Sequence, residues 1–245
     1  MPGQRLYGAD LAAIQHLGFG DFAASAAPGL LAVLRRGGVK EGRIVDLGCG
    51  DGTWLRSLVH AGYEAIGVDS SRSLVEIAHR TVPGAELHVA SAHDFAFPAC
   101  DAVTAIGEIL SYVEPGRHTA PPLARSFRKI AAALRPGGLL VFDVLVSSRR
   151  APARYRTWRA GDSWAVLIDV TEDRRHARLT RDVTTFRRVG TGYRRGRERH
   201  VLVVATRKAV TRALRAAGFS VRTLRSYGDF AMLPGRVAFV AKKAR

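Results

Sequence analysis

The chain has 245 residues, 47% of them hydrophobic, which is enough for one α/β domain with an elaboration or for two small domains. No continuous apolar run approaches the roughly 18 residues of a membrane-spanning helix, and the first residues lack the layout of a signal peptide. Two cysteines, Cys49 and Cys100, are too few for a disulfide framework or a metal site. We therefore expect a cytoplasmic protein with no membrane partner and no metal.

The formal net charge is +17 at pH 7, and arginine supplies most of it. Such an excess could serve a nucleic acid or another anionic partner. The arginines are concentrated between residues 149 and 225, however, in short alternating runs that are typical of strands with one face in water. This pattern favours a solvated basic face, and a nucleic-acid partner is the less favoured alternative.

Residues 1–40 are predicted to form a helical leader. Apolar residues recur at helical spacing up to Leu17, where Gly18 and Gly20 interrupt the pattern. A second helix is predicted from about residue 21 to residue 36, because apolar spacing resumes there and a pair of glycines follows.

A glycine-rich segment follows the leader. An apolar run ends at Asp46, three glycines follow at Gly48, Gly50 and Gly52, and helix-forming sequence begins behind them. This order predicts a buried strand, a tight loop that a ligand can approach closely, and a helix N-terminus. A second apolar run ends at Asp69, at the distance of a carboxylate that binds ribose hydroxyls in a strand–helix–strand nucleotide site.

The spacing of the glycines distinguishes between nucleotides. Gly48-x-Gly50-x-Gly52 differs from the G-x-G-x-x-G fingerprint that places a pyrophosphate at a helix N-terminus, and Asp46 and Asp51 would repel a pyrophosphate. Two carboxylates suit a ligand with a cationic amino-acid end and no phosphate. Here the chain resembles the class I S-adenosylmethionine-dependent methyltransferases, whose glycine motif matches throughout. A nicotinamide-dependent oxidoreductase is disfavoured on the same grounds.

The resemblance implies a doubly wound, seven-stranded Rossmann-like α/β sheet with an antiparallel last strand, in a single domain of residues 1–245. Residues 41–146 would form its cofactor-binding core, and residues 206–245 its C-terminal helix and β hairpin. Short alternating runs replace helical patterns in residues 147–205, which predicts an inserted antiparallel β meander. The resemblance implies that this meander lies over the acceptor site. The leader, residues 1–40, is expected to act as a lid beside the cofactor.

The resemblance also implies that the cofactor is S-adenosylmethionine. In this family the ribose lies at the second acidic strand end, the adenine after the third strand, and the methionine part between the glycine loop and the end of the fourth strand. The residues of this chain at those positions are Asp46, Gly48, Cys49, Gly50, Gly52, Asp69, Ser70, Ala92, His93 and Gly107.

The implied reaction is in-line displacement of a methyl group onto an oxygen or nitrogen atom of a small-molecule acceptor. A hydroxyl acceptor would need a base, for which Glu108 and His200 are the candidates, whereas an amine need only bind in its neutral form. The residues expected to contact the acceptor are Tyr7, His16, Tyr112, Trp164, Arg199 and Tyr227. The alternatives are an RNA methyltransferase that uses the basic surface and a non-catalytic module that binds the cofactor.

Overall fold

The structure of the chain, a computed structural model, describes residues 6–114, 116–117, 122–148 and 152–244. Within these residues the helices are α1 (Ala9–Gly37), α2 (Thr53–His60), α3 (Arg72–Thr81), α4 (Leu123–Ala133) and α5 (Arg207–Ala216). The strands are β1 (Arg43–Leu47), β2 (Glu64–Asp69), β3 (Glu86–Val89), β4 (Cys100–Ala105), β5 (Tyr112–Val113), β6 (Leu134–Leu145), β7 (Arg154–Gly161), β8 (Trp164–Asp173), β9 (Arg178–Val189), β10 (Gly192–Val203), β11 (Phe219–Leu224), β12 (Ser226–Tyr227), β13 (Phe230–Ala231) and β14 (Arg236–Lys243).

Seven strands form the main sheet in the order β11-β14-β6-β4-β1-β2-β3. Strands β3, β2, β1, β4 and β6 pair in parallel, and β14 runs antiparallel to its neighbours β6 and β11. The predicted seven-stranded doubly wound sheet with an antiparallel last strand is confirmed. The carboxyl ends of β1, β2, β4 and β6 therefore lie along one edge, where ligands of open α/β sheets bind.

The two faces of the main sheet carry separate apolar layers. Because successive side chains of a strand point to opposite faces, Val45 packs in the layer that contains Phe127 of α4, and its neighbour Ile44 packs in the layer that contains Leu34 of α1 and Leu55 of α2. The central strands are buried on both faces, which explains why they read as continuous apolar runs.

Helix α1 is continuous from Ala9 to Gly37, so the predicted break at Gly18 and Gly20 is wrong. The glycine at position 18 serves packing rather than a turn: the indole of Trp164 lies directly on it, and a Cβ atom there would be 2.3 Å from the ring. The helix ends where its C-cap, Gly38, adopts a left-handed conformation with φ 102°.

By length and composition alone, α1 could cross a membrane. The sequence does not show this as an uninterrupted apolar run, because polar residues and glycines are interspersed along the helix. Several of its apolar side chains are nevertheless buried within this fold, although Leu17 is exposed. Leu11 and Ile14 pack against the meander, and Leu30 and Leu34 pack against the main sheet. A core helix has this hydropathy for the same reason. That the protein has no membrane partner stays a prediction.

The region after β6 forms the predicted antiparallel meander, which is confirmed as a five-stranded sheet in the order β5-β10-β9-β8-β7. Two of its strands are absent from the sequence prediction. Strand β7 is exposed along its whole length, so it has no alternation of buried and exposed residues to reveal it. Strand β5 has only two residues and comes from the loop after β4. The meander is therefore attached directly to the strand ends of the main sheet.

We predict that Gly29→Ala destabilises the protein by about 1–3 kcal/mol, the usual cost of overpacking. A Cβ atom at Gly29 would lie 2.1 Å from the carbonyl carbon of Tyr227. Because this is a backbone atom, the clash cannot be relieved by a change of side-chain rotamer. Gly20→Ala, in the same helix, is the matched control because the nearest atom would lie 3.9 Å away. Urea unfolding should show a loss for Gly29→Ala and none for Gly20→Ala; equal stabilities would contradict this packing.

Candidate functional site

The glycine loop folds back over the end of β2. Gly48, Gly50 and Gly52 have φ values of 68°, 58° and 83°, in the left-handed region that favours glycine. The backbone N–H groups of Gly48 and Cys49 donate to the carbonyl of Val68 at 2.7 and 3.1 Å. A Cβ atom at Gly48 would lie 2.3 Å from the side chain of Ile109, so this close approach also requires glycine.

Asp69 ends β2 and fixes this loop. Its carboxylate accepts the backbone N–H of Gly50 at 3.0 Å and that of Ser71 at 2.8 Å. Burial nonetheless raises the pKa of Asp69 to about 6, because the hydrogen bonds to the charged form only partly offset its desolvation. Further donors, such as ribose hydroxyls, would stabilise this charge.

A cavity beside Asp69 brings together residues predicted to bind the adenosine part of the cofactor. Its wall contains Gly48, Asp69, Ser70, Ala92 and His93. Tyr7 and Tyr112, two of the predicted acceptor residues, lie in the same wall, with their hydroxyl oxygens 3.3 Å apart.

His93, in this cavity wall, is held by hydrogen bonds to two serine hydroxyls. Its backbone N–H, predicted to contact adenine, donates to the hydroxyl of Ser91 at 3.1 Å. Its Nδ1 lies 3.2 Å from the hydroxyl of Ser126, whereas its buried Nε2 has no hydrogen-bond partner among the described residues. Burial also lowers the pKa of His93. The contact of the His93 backbone with adenine stays a prediction.

A second cavity lies on the other side of Gly48, between the glycine loop and α1. Asp46, Cys49, Gly50 and Asp51 line it, together with residues of α1. The hydroxyl of Thr104 donates to Asp46 at 2.6 Å, but burial still raises the pKa of Asp46 to about 7. A cationic group bound here would favour the ionised carboxylate, so the cavity suits the amino-acid end of S-adenosylmethionine.

Helix α1 covers the second cavity and is tied to the glycine loop. Phe19 and Phe22 line the cavity from α1. His16 Nδ1 lies 2.8 Å from Asp51 Oδ2. The side chain of His16 is 45% exposed and is absent from the cavity wall, so its place in this structure is at the edge of the loop rather than at the acceptor.

Eight of the ten predicted cofactor residues line one of these two cavities. The other two lie nearby and have backbone roles. Gly52 is the N-cap of α2, and the N–H of Gly107 at the end of β4 donates to Asp143 at 2.9 Å. A carboxylate at the ribose position and a second buried carboxylate at the amino-acid position fit S-adenosylmethionine. The individual contacts with the cofactor stay predictions.

Glu108, a predicted base, is locked in an ion-pair cluster. It is buried, has a left-handed φ of 65°, and pairs with Arg181 at 2.6 Å and with Arg236. Burial alone would raise its pKa, but the two guanidinium groups outweigh burial and lower it. A carboxylate with a lowered pKa and two arginine partners is a poor proton acceptor, so the structure contradicts the proposed role of Glu108 as a base.

His200, the other predicted base, is also engaged. Its Nε2 lies 3.0 Å from Glu198 Oε2, and its ring packs between those of Tyr7 and Tyr112. The same carboxylate of Glu198 accepts the backbone N–H groups of Tyr7 and Gly8 at 2.8 and 2.9 Å. His200 therefore belongs to the joint between the meander and the start of α1, and it lines neither cofactor cavity. Its role as a base stays a prediction.

Three predicted acceptor residues lie away from the cavities. Arg199 is on the outer face of the meander, where it pairs with Asp182 at 2.6 Å. Trp164 is buried against α1, and Tyr227 is buried with its hydroxyl donating to Asp143 at 3.2 Å. Residue type alone predicts an acceptor contact for all three. Arg199 instead lies on the outer face of its strand, because successive strand residues alternate between faces, and the two aromatic residues are part of the core.

Sequence analysis missed Glu198, Arg181, Arg236 and Asp143, which hold the site together. Alternation along β10 could have indicated Glu198, because it shares the inward face with His200 while Arg199 points outward. The pairing of Arg181 with Glu108 spans 73 positions in sequence and gives no local signal.

A third cavity, of about 400 Å³, lies between the strand ends of β4 and β6 and the inner face of the meander. It adjoins the adenosine cavity through the bond from Arg181 to the hydroxyl of Tyr112, at 3.2 Å. Most of its wall is apolar, with charged groups at Glu108, Arg181, Arg236 and Glu172. We refer to it as the acceptor cavity. It is lined by Glu108, Leu145, Val146, Ser148, Pro152, Tyr155, Val170, Glu172, Leu179, Arg181, Val204, Leu233, Pro234, Gly235 and Arg236.

The profile of a family described as "Methyltransferase domain" matches residues 22–224. A dTDP-3-amino-3,6-dideoxy-alpha-D-glucopyranose N,N-dimethyltransferase of Streptomyces fradiae is 27% identical over 241 residues, which cover 93% of this chain and 91% of that protein. A ubiquinone biosynthesis O-methyltransferase of Cereibacter sphaeroides is 30% identical over 132 residues, 51% of this chain. The chain matches about half the length of that O-methyltransferase, 48%.

Solved structures of similar fold cover nearly all of the chain. DesVI of Streptomyces venezuelae superposes with a TM-score of 0.80 at 21% identity, covering 96% of this chain and 98% of that one. The sugar N-methyltransferase KedS8 from Streptoalloteichus superposes with a TM-score of 0.78 at 23% identity, covering 100% and 98%. These similarities extend the shared fold to the leader and the meander.

We predict that binding of S-adenosylhomocysteine releases protons between pH 6 and 7, because the pKa of Asp69 is about 6 and that of Asp46 about 7 before the ligand favours their ionised forms. Affinity should therefore rise with pH through this interval. Calorimetry in buffers of different ionisation enthalpy measures the proton number. Asp46→Asn, which keeps the bond to Thr104, should reduce it; an unchanged proton number would contradict the place given to Asp46.

Proposed function

Because the chain belongs to the S-adenosylmethionine-dependent methyltransferase family, we propose that it methylates the amine nitrogen of a small molecule of the amino-sugar class. The family match confirms the predicted family and its cofactor. The acceptor and the accepting atom are the subject of the proposal.

The engagement of both predicted bases supports nitrogen over oxygen. Methyl transfer to a hydroxyl needs a group that takes the proton as the bond forms. Glu108 is held by two arginines, and His200, which is bonded to Glu198, lines none of the three cavities. A neutral amine needs no such group, because it attacks with its lone pair and can lose its proton to water afterwards. This is the observation that carries the choice of an amine.

The extent of similarity supports the same choice. The sugar N,N-dimethyltransferase aligns with 93% of this chain, whereas the ubiquinone O-methyltransferase aligns with 51%. The first alignment therefore includes the leader, which covers the second cofactor cavity, and the meander, whose inner face forms part of the wall of the acceptor cavity. The second is limited to about half of the chain.

The acceptor cavity has a suitable size and position. Its volume of about 400 Å³ is within the range of roughly 300–1,000 Å³ that is usual for small-molecule sites. It opens beside the end of β4, where the resemblance places the methyl group. Its wall contains both guanidinium and carboxylate groups, which suit an acceptor with several polar substituents.

S-adenosylmethionine supplies the activated methyl group on its sulfonium. The protein then has mainly to align donor and acceptor, a contribution that can reach several kcal/mol. Asp69 and the glycine loop would hold the adenosine part, and Asp46 would face the amino-acid part. Tyr7 and Tyr112 would exclude water between the cofactor and the acceptor cavity.

An RNA acceptor and a non-catalytic role are the alternatives. RNA would have to use the outer, arginine-rich face of the meander, and its binding would weaken steeply with salt.

We also propose a cytoplasmic location, which the two buried free thiols, Cys49 and Cys100, support.

We expect the protein to methylate a nucleoside-diphosphate 3-amino-3,6-dideoxyhexose and to leave the corresponding 3-hydroxy sugar unmodified. Mass spectrometry would report each added methyl group, and Asp69→Ala would serve as the control without cofactor binding. Below the amine's pKa, kcat/KM should rise about tenfold per pH unit, because only the neutral amine reacts. Methylation of the hydroxy sugar in place of the amine would overturn the assignment to nitrogen.

A further inference from the structure

One carboxylate in the acceptor cavity has an oxygen without a partner. The side chain of Glu172, on β8, is only 8% exposed. Its Oε2 accepts a long hydrogen bond of 3.5 Å from Arg174, whereas the buried Oε1 has no hydrogen-bond partner among the described residues. A buried carboxylate oxygen without a donor destabilises a fold, so such an atom calls for an explanation.

Glu172 is placed to meet a ligand. It lines the acceptor cavity, and its backbone is anchored by the N–H bond to the carbonyl of Ala153 at 2.7 Å. The other carboxylate in the described wall, Glu108, is neutralised by Arg181 and Arg236. Glu172 therefore offers the open acceptor of hydrogen bonds in a wall that is otherwise mostly apolar or paired.

The position of Glu172 along β8 indicates which part of the acceptor it would meet. Val170 pairs across the meander with Arg181, whose guanidinium reaches Glu108 at the end of β4. Glu172 is two residues further along the same face, which corresponds to about 7 Å. It thus lies at the end of the cavity away from the site of methyl transfer.

We propose that Glu172 positions the acceptor by accepting a hydrogen bond from one of its hydroxyl groups, at a distance from the nitrogen that is methylated. The proposal rests on the proposed function for the nature of the acceptor. In the free protein, Oε1 is buried without a hydrogen-bond donor among the described residues, which is unfavourable. A hydroxyl group of the bound acceptor would donate to Oε1 and compensate for this loss. A ligand without hydroxyl groups gains nothing from Glu172.

The test compares two amines that differ in hydroxyl groups, D-glucosamine and cyclohexylamine, with S-adenosylhomocysteine bound. Binding to the wild type, Glu172→Ala and Glu172→Gln would be measured by ligand-observed NMR. Glu172→Ala should weaken D-glucosamine by about tenfold or more, the loss of a hydrogen bond to a charged group, and leave cyclohexylamine nearly unchanged. Glu172→Gln should lie between. Asp169→Asn, on the outer face of the same strand, is the matched control and should bind both amines normally.

A purely structural role predicts a different result. Loss of a structural carboxylate would lower the melting temperature of the free protein, whereas loss of a carboxylate whose buried Oε1 has no donor among the described residues should leave it unchanged or raise it. Equal weakening of both amines would assign Glu172 to the ammonium group and overturn the proposal. So would unchanged binding of D-glucosamine in Glu172→Ala, or no binding to the wild type.

The binding comparison needs no turnover, so it is separable from the proposed function. If the wild type methylates an amine but the binding of D-glucosamine does not depend on Glu172, only the proposed role of Glu172 is overturned. Hydroxyl-dependent binding through Glu172 without methylation of any amine overturns the proposed function alone.

Discussion

The hydrogen bond from Gly50 to the partly buried carboxylate of Asp69 is the contact on which the rest of the site depends. It fixes the glycine loop over the end of β2 and so sets the boundary between the two cofactor cavities. Asp69 is one of three carboxylates, with the buried Asp46 and Asp143, on the strands β2, β1 and β6 of this edge. Burial raises the pKa of these carboxyls to about 6, 7 and 6 respectively. Such groups destabilise the free fold when ionised, and polar or cationic ligands can compensate for that cost.

The leader and the meander meet at Tyr7, where both cofactor and acceptor would be enclosed. Tyr7 is held in a left-handed conformation, φ 52°, by Glu198 on its N–H and by Ser71, whose hydroxyl donates to its carbonyl at 2.6 Å. A non-glycine residue keeps such a strained backbone conformation only where the surrounding contacts hold it there. The phenol then reaches Tyr112, and through Arg181 the polar contacts continue to Glu108 in the acceptor cavity. One connected set of side chains thus borders both ligand sites.

The sequence was informative where the chemistry is local. Asp46, Asp69 and the three glycines were found because strand ends, glycine spacing and apolar runs are read within a few residues. The continuity of α1 was missed because Gly18 is needed for the indole of Trp164, a contact across the fold. The sequence also does not reveal why Glu108 is a poor base. Its arginine partners come from the meander and the last strand, and no local sequence pattern indicates such distant ion pairs.

The most direct measurement is a thermal-shift comparison of wild type and Asp69→Ala with S-adenosylhomocysteine and with NADH. A ligand present at a hundred times its dissociation constant stabilises the folded state by about 2.7 kcal/mol, which a melting curve resolves. If Asp69 and the glycine loop hold the cofactor, S-adenosylhomocysteine alone stabilises the wild type, and Asp69→Ala loses the effect. Stabilisation by NADH, or equal stabilisation of both proteins by S-adenosylhomocysteine, would contradict the role given to Asp69.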